Sequence, residues 1–122
     1  MSNPDICCGI VPYFKVAPGK LAEFKALTLR FVEKTRSETG CAYYAFSFDG
    51  DSAAHCREGY DDAAAVLAHL ENVGALLGEA LAISEITRLE VHGPATEFDK
   101  LREPLAAFKP QFFALQAGGL RR

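Results

Sequence analysis

Two stretches of helical periodicity flank an aromatic hairpin, and that order leaves few folds open. Residues 41–48 read Cys-Ala-Tyr-Tyr-Ala-Phe-Ser-Phe, a strand with Tyr44, Phe46 and Phe48 on one face. Asp49-Gly50-Asp51-Ser52 is a strong turn, so residues 53–60 are expected to return as the second arm. A loop of those four residues sets Tyr44 near Arg57 and Tyr43 near Glu58, and keeps Cys41 far from Cys56 along the ladder. Upstream, Leu21, Phe24, Thr28, Phe31 and Thr35 recur at the spacing of one helix face, and Gly40 fits the stop. Downstream, Asp61-Asp62 opens a second helix at its positive end, with Val66, Leu70, Val73, Leu77 and Leu81 toward the core. Gly74 and Gly78 each cost about 1 kcal/mol inside a helix, which predicts a kink near residues 72–74.

A strand stands outside each helix. Residues 8–16 carry apolar side chains on both alternation sets, Ile10, Phe14 and Val16 against Val11 and Tyr13, as a central strand does. Pro12 cannot donate to a ladder, so a local irregularity is expected there. Residues 85–92 form a fourth strand. Thr96-x-x-Asp99 reads as a capping box for a short helix to about Pro104, and residues 111–115 as a short fifth strand.

The order is β-α-β-β-α-β with a C-terminal helix and strand, the α+β, ferredoxin-like arrangement with two helices on one sheet face. The other face retains apolar side chains that nothing left in the chain covers. A homodimer through that open sheet face is the expected answer. A chain of 122 residues suits one domain, taken as residues 1–116, followed by a flexible tail at 117–122 that ends in Arg121 and Arg122. A net charge of −3 with dispersed basic residues argues against a nucleic-acid partner. No apolar run is long enough to span a bilayer, and the start Met1-Ser2-Asn3-Pro4-Asp5 is unlike a signal peptide, so no membrane association and a cytoplasmic location are expected. Cys7, Cys8, Cys41 and Cys56 have no metal-site spacing and are read as free, partly buried thiols.

Gly40-Cys41-x-x-Tyr44, then Glu58-Gly59-Tyr60-Asp61-Asp62 and Ala68-His69-Leu70, resemble the antibiotic biosynthesis monooxygenase domain family across roughly residues 8–93. The resemblance implies a dimeric α+β barrel with a pocket between sheet and helices. It also implies oxidation of quinols or anthrones that supply the electrons themselves, with neither metal nor flavin cofactor. The sequence departs from the family wording in having no tryptophan, so Tyr60 takes the strand-end aromatic position. The region of residues 73–82 carries no histidine, which disfavours haem degradation.

His69, at the margin of the second helix's apolar stripe, suits proton removal from a phenol or enol. Glu58 shares a strand face with Tyr60 and is a candidate partner of His69, against the plainer role of a structural helix–strand contact. Arg88, on one alternation set with Glu90 and His92, is a candidate for steadying an oxyanion, against the plainer role of a surface or interface salt bridge. Tyr44 and Tyr60 are candidate walls for a flat small-molecule substrate, Asn72 a candidate at the pocket rim, and His55 and Arg57 fall on the interface face. The expected function is a cofactor-independent monooxygenase on a small aromatic or enolisable substrate. A non-catalytic dimeric ligand-binding protein is the alternative, and whether His69 and Glu58 meet at an open cavity separates the two.

Overall fold

The computed structural model describes residues 5–120; the expected N-terminal start at residues 1–4 and the final Arg121-Arg122 lie outside the described residues. The chain runs β1 (Cys8–Val16), α1 (Leu21–Thr35), β2 (Cys41–Asp49), β3 (Ala53–Tyr60), α2 (Ala63–Leu81) and β4 (Ser84–Gly93). Two short helices, α3 (Ala95–Phe98) and α4 (Arg102–Leu105), a 3-10 turn (Ala106–Phe108) and β5 (Gln111–Ala114) follow. The sheet order is β2-β3-β1-β4-β5, antiparallel except for the β4–β5 pair, which is parallel. This is the expected ferredoxin-like α+β fold, with β5 added at one edge.

β1 is the middle strand, and Pro12 does disturb it. Its pairing with β3 holds at Ile10↔Glu58 and Tyr13↔His55 but lapses in between. On the other side Pro12 faces Leu89, and the register slips between Tyr13 and Phe14, leaving Thr87 of β4 as the extra residue of a bulge. Burial along β1 alternates strictly: Cys8, Ile10, Pro12, Phe14 and Val16 lie beneath the helices, while Val11 and Tyr13 face the open side.

The hairpin corrects the expected register. Asp49 pairs with Ala53, leaving Gly50, Asp51 and Ser52 as the loop, so Tyr44 faces Glu58 and Ala45 faces Arg57. A slip of one residue exchanges the two faces of a strand. The observed register puts Tyr44 and Glu58 together under the helices, and Tyr43 with Arg57 outside, where the guanidinium lies 4.7 Å from the Tyr43 ring centre.

α1 buries Phe24, Thr28, Phe31 and Thr35 of the stripe read from its periodicity, with Leu27 beside them in place of Leu21. α2 differs from expectation in two respects. It is continuous through Gly74 and Gly78, and its buried stripe is Val66, His69, Val73, Leu76 and Ala80, turned about one position so that Leu81 is exposed and His69 is central. The helix is apolar on several sides, so periodicity alone locates its inner face only roughly. By length and composition α2 could cross a membrane, with mean hydropathy 1.2, but here its stripe packs on the sheet.

Thr96 lies inside α3 and caps nothing; the expected capping box is absent because the chain enters α3 from Pro94. Instead Glu97 reaches back to accept a hydrogen bond from the Ala63 amide at 3.0 Å, while Asp62 accepts from the Ala65 amide at 2.9 Å. Both carboxylates thus serve the first turn of α2. The C-terminal segment is held by Phe98, Leu101 and Leu105, each buried in the core around Ile10, Leu89 and Val91. Burial of such side chains contributes about 1.5–3 kcal/mol each, which offsets the short reach of two four-residue helices.

Candidate active site

His69 reaches the site because α2 lays its second turn across the β2–β3 hairpin. Tyr44 and Tyr60 flank its ring, at 5.1 and 5.2 Å between ring centres. Its Nδ1 lies 2.8 and 3.0 Å from the two carboxylate oxygens of Glu38. Its Nε2 points toward Glu58 Oε1 at 3.6 Å, a close approach too long for a hydrogen bond. The carboxylate on Nδ1 favours the tautomer with its proton there, which leaves the Nε2 lone pair facing Glu58.

Glu38 sits in the loop between α1 and β2, and a clasp fixes it there. Asn72 Nδ2 donates to Glu38 Oε2 at 2.8 Å and to the Lys34 carbonyl at 3.0 Å, and Lys34 Nζ donates back to the Asn72 carbonyl at 3.3 Å. Asn72 therefore orients Glu38, and through it His69. Gly40 permits the close passage of this loop, since a Cβ there would stand 2.6 Å from the Ala65 Cβ of α2.

Glu58 is held from behind. Tyr60 Oη donates to Glu58 Oε1 at 2.6 Å, and the Cys56 thiol is a second hydrogen-bond partner. Desolvation nevertheless dominates and pushes the Glu58 carboxyl up to about 7, against the lowering pull of those two bonds. Burial lowers the His69 pKa, partly countered by Glu38, so the ring is neutral at physiological pH and available as a base. Burial also drives the Tyr44, Tyr60 and Cys56 groups upward, with the charge of Glu58 adding to each, so all three stay protonated.

An apolar cavity of about 60 Å³ opens beside this group. Tyr44, Glu58 and His69 supply its polar end; Phe31, Val73, Leu89, Leu105 and Phe108 are among its apolar walls. Tyr60 does not line it, and its role is to hold Glu58. On the far side of Glu38 runs a separate surface groove, bordered by Arg36, Cys41 and Tyr43.

Arg88 is not part of this arrangement. It alternates with Leu89 and Val91, which point under the helices, so Arg88 projects from the open face and pairs with Glu90. His92 Nε2 lies 2.9 Å from the other Glu90 oxygen and stacks on Phe113. The trio is a surface cluster held by Glu90, whose pKa its two partners lower. Among the described residues, no group of three or more His, Cys, Asp or Glu side chains is placed to hold a metal ion. None of the four cysteines is joined in a disulfide.

Residues 9–75, more than half the chain, match the antibiotic biosynthesis monooxygenase family. The chain belongs to that family. MupZ from Pseudomonas fluorescens is 50% identical, covers 94% of each chain and superposes with a TM-score of 0.88. More distant members share the fold. A putative antibiotic biosynthesis monooxygenase from Chloroflexus aurantiacus is 19% identical over 73% of this chain and 93% of that one, with a TM-score of 0.62. SnoaB, a cofactor-independent oxygenase from Streptomyces nogalater, is 18% identical over 70% and 89%, also at 0.62. No curated protein matches the sequence. Within this family member, Glu38 is the site residue that sequence reasoning missed. Its one signal was a carboxylate just past the negative end of α1, where helices favour the opposite charge.

Proposed function

We propose that this protein is a cofactor-independent monooxygenase acting on a small aromatic or enolisable substrate in the cavity beside His69. The observation that carries the reading is a neutral imidazole, oriented by Glu38, with its free nitrogen at the polar end of an apolar cavity. Membership of the family and the likeness to a cofactor-independent oxygenase support it. In this reading His69 Nε2 takes the acidic proton of the substrate, and the Glu38 carboxylate stabilises the imidazolium that forms. The electron-rich anion then reduces dioxygen within the apolar cavity. For an anthrone-type methylene the atoms balance as CH2 plus O2 giving C=O plus water, with both electron pairs supplied by the substrate. The protein contributes proton management, orientation and exclusion of bulk water.

The working unit in this reading is a homodimer joined through the open sheet face, where Tyr43 and Phe113 are 46% and 38% exposed. A reducing compartment, the cytoplasm, fits four free thiols.

Glu58 favours a second reading. A carboxyl that titrates near 7, next to a neutral imidazole, is a general acid beside a general base. Such a pair suits a redox-neutral isomerisation or cyclisation in which one atom of the substrate loses a proton and another gains one.

An oxygen electrode separates the two. Anthrone or a 1,4-naphthohydroquinone is expected to drive oxygen uptake with the wild type and at least 100-fold less with His69→Ala. Equal rates remove His69 from the mechanism. Absence of uptake above the spontaneous rate, with His69-dependent exchange of solvent deuterium into the substrate, selects the redox-neutral reading.

A further inference from the structure

We propose that Phe108, in the segment after β4, decides which substrates the pocket admits, and that it is the side chain displaced when one enters. The proposal rests on the reading that the cavity beside His69 is the substrate site.

The cavity of about 60 Å³ has room for a few water molecules. An engineered apolar cavity that binds benzene measures about 150 Å³. Some wall must therefore yield before a ring or chain can bind. Most of the lining side chains stand on the sheet or on α1 and α2, fixed by long hydrogen-bonded elements. Leu105 is 1% exposed and locked into the core.

Phe108 is the exception on two counts. Its ring, half buried like Phe46, Leu70, Leu77 and Ile86, packs against the core cluster of Ile10, Leu89 and Leu105. It ends a three-residue 3-10 turn, whose last hydrogen bond runs from the Lys109 amide to the Ala106 carbonyl at 3.1 Å. The next residue, Lys109, has φ 50°, the one positive value at a non-glycine residue among those described. A side chain disfavours that left-handed conformation, so the turn stands next to a point of backbone strain.

Both ends of the turn are anchored independently. Leu101 and Leu105 hold one side in the core. On the other side β5 pairs Phe112 with Val91, and the Phe112 ring packs 4.9 Å from Phe98 with the Arg102 guanidinium 4.5 Å above it. The short turn can swing without unpairing either anchor. Because the family match stops at residue 75, Leu105 and Phe108 are pocket walls contributed from outside it. The part of a substrate that meets Phe108 is apolar, and its ionisable group lies at the His69 end.

The test reads binding and needs no turnover, so failure of the monooxygenase reading shows in the oxygen assay and leaves it unaffected. Phenol and 2-naphthol are titrated calorimetrically into the wild type, Phe108→Ala, Phe108→Trp and Phe112→Ala. Phe108→Ala is expected to tighten 2-naphthol at least about tenfold and phenol by a smaller factor. Phe108→Trp is expected to weaken 2-naphthol at least about tenfold, and Phe112→Ala to match the wild type. If Phe108→Ala binds 2-naphthol no better than the wild type, whether both bind or neither does, the proposal is overturned. It is also overturned if Phe112→Ala reproduces the gain, which would mean general loosening of the segment. Should Phe108→Ala lose its near-ultraviolet circular dichroism, unchanged 2-naphthol binding by Phe108→Trp overturns it alone.

Discussion

His69 Nδ1 lies 2.8 Å from Glu38 Oε2 although 31 residues of chain separate them. The carboxylate fixes the tautomer and raises the basicity of a ring that burial otherwise depresses. Glu38→Gln keeps the shape and removes the charge. Turnover is expected to fall roughly 10- to 100-fold, and the His69 pKa to move further down. Titration of the His69 ring protons by NMR checks the second outcome independently of any substrate; an unmoved pKa would sink the coupling.

Glu58 and His69 give opposite slopes to stability against pH. The Glu58 carboxyl is raised in the folded protein, so the native state holds its proton while the unfolded chain has released it, and stability falls as pH climbs toward and through about 7. The His69 pKa is lowered, so its contribution is lost as pH drops below the ordinary histidine range. The two offset each other in mildly acidic solution. Above about pH 6.5 Glu58 acts alone. Urea unfolding between pH 6.5 and 8 is expected to show stability declining by about 1 kcal/mol, and Glu58→Gln to flatten the slope.

Tyr60→Phe removes the donor from Glu58 while keeping the buried ring. A neutral donor to a charged acceptor is worth about 1.5–3 kcal/mol, so the carboxylate form loses support and the Glu58 pKa climbs above its present value. With Glu58 as the general acid, the alkaline limb of the pH–rate profile is expected to move to higher pH with little change in the maximum rate. A profile that keeps its alkaline limb would show that Glu58 does not set it.

Gly40→Ala is expected to cost about 1–3 kcal/mol, because its new methyl meets the Ala65 Cβ on a helix that cannot yield. Gly59→Ala makes a useful contrast. There the obstruction is the partly exposed Tyr43 ring, which can swing away from Arg57. Thermal unfolding of both variants measures the difference, and equal losses would contradict the account.

Element order was readable from the sequence because alternation, helical spacing and turn residues each fix a local conformation. The inward set of β1, the α1 stripe and the short final strand all follow from such local signals. Register was not, since Asp49 serves equally as the first residue of a turn or the last of a strand. Arg88 could have been placed outward from its alternation with Leu89 and Val91. Glu38 was beyond reach, because the pairing depends on how α1 packs on α2 and leaves no periodic trace. The inner face of α2 was blurred by apolar residues on its other sides, which is why His69 reads as marginal in the sequence and central in the fold.

The three-residue loop at residues 50–52 has a consequence for how relatives and libraries are compared. Adding or deleting a single residue there, where the loop does not absorb it, forces one strand of the hairpin to slip, so that Tyr44 and Glu58 no longer share the face under the helices. Length at that loop is therefore as diagnostic of a working pocket as the identity of His69, and an alignment that places a gap inside it should be read as a different site.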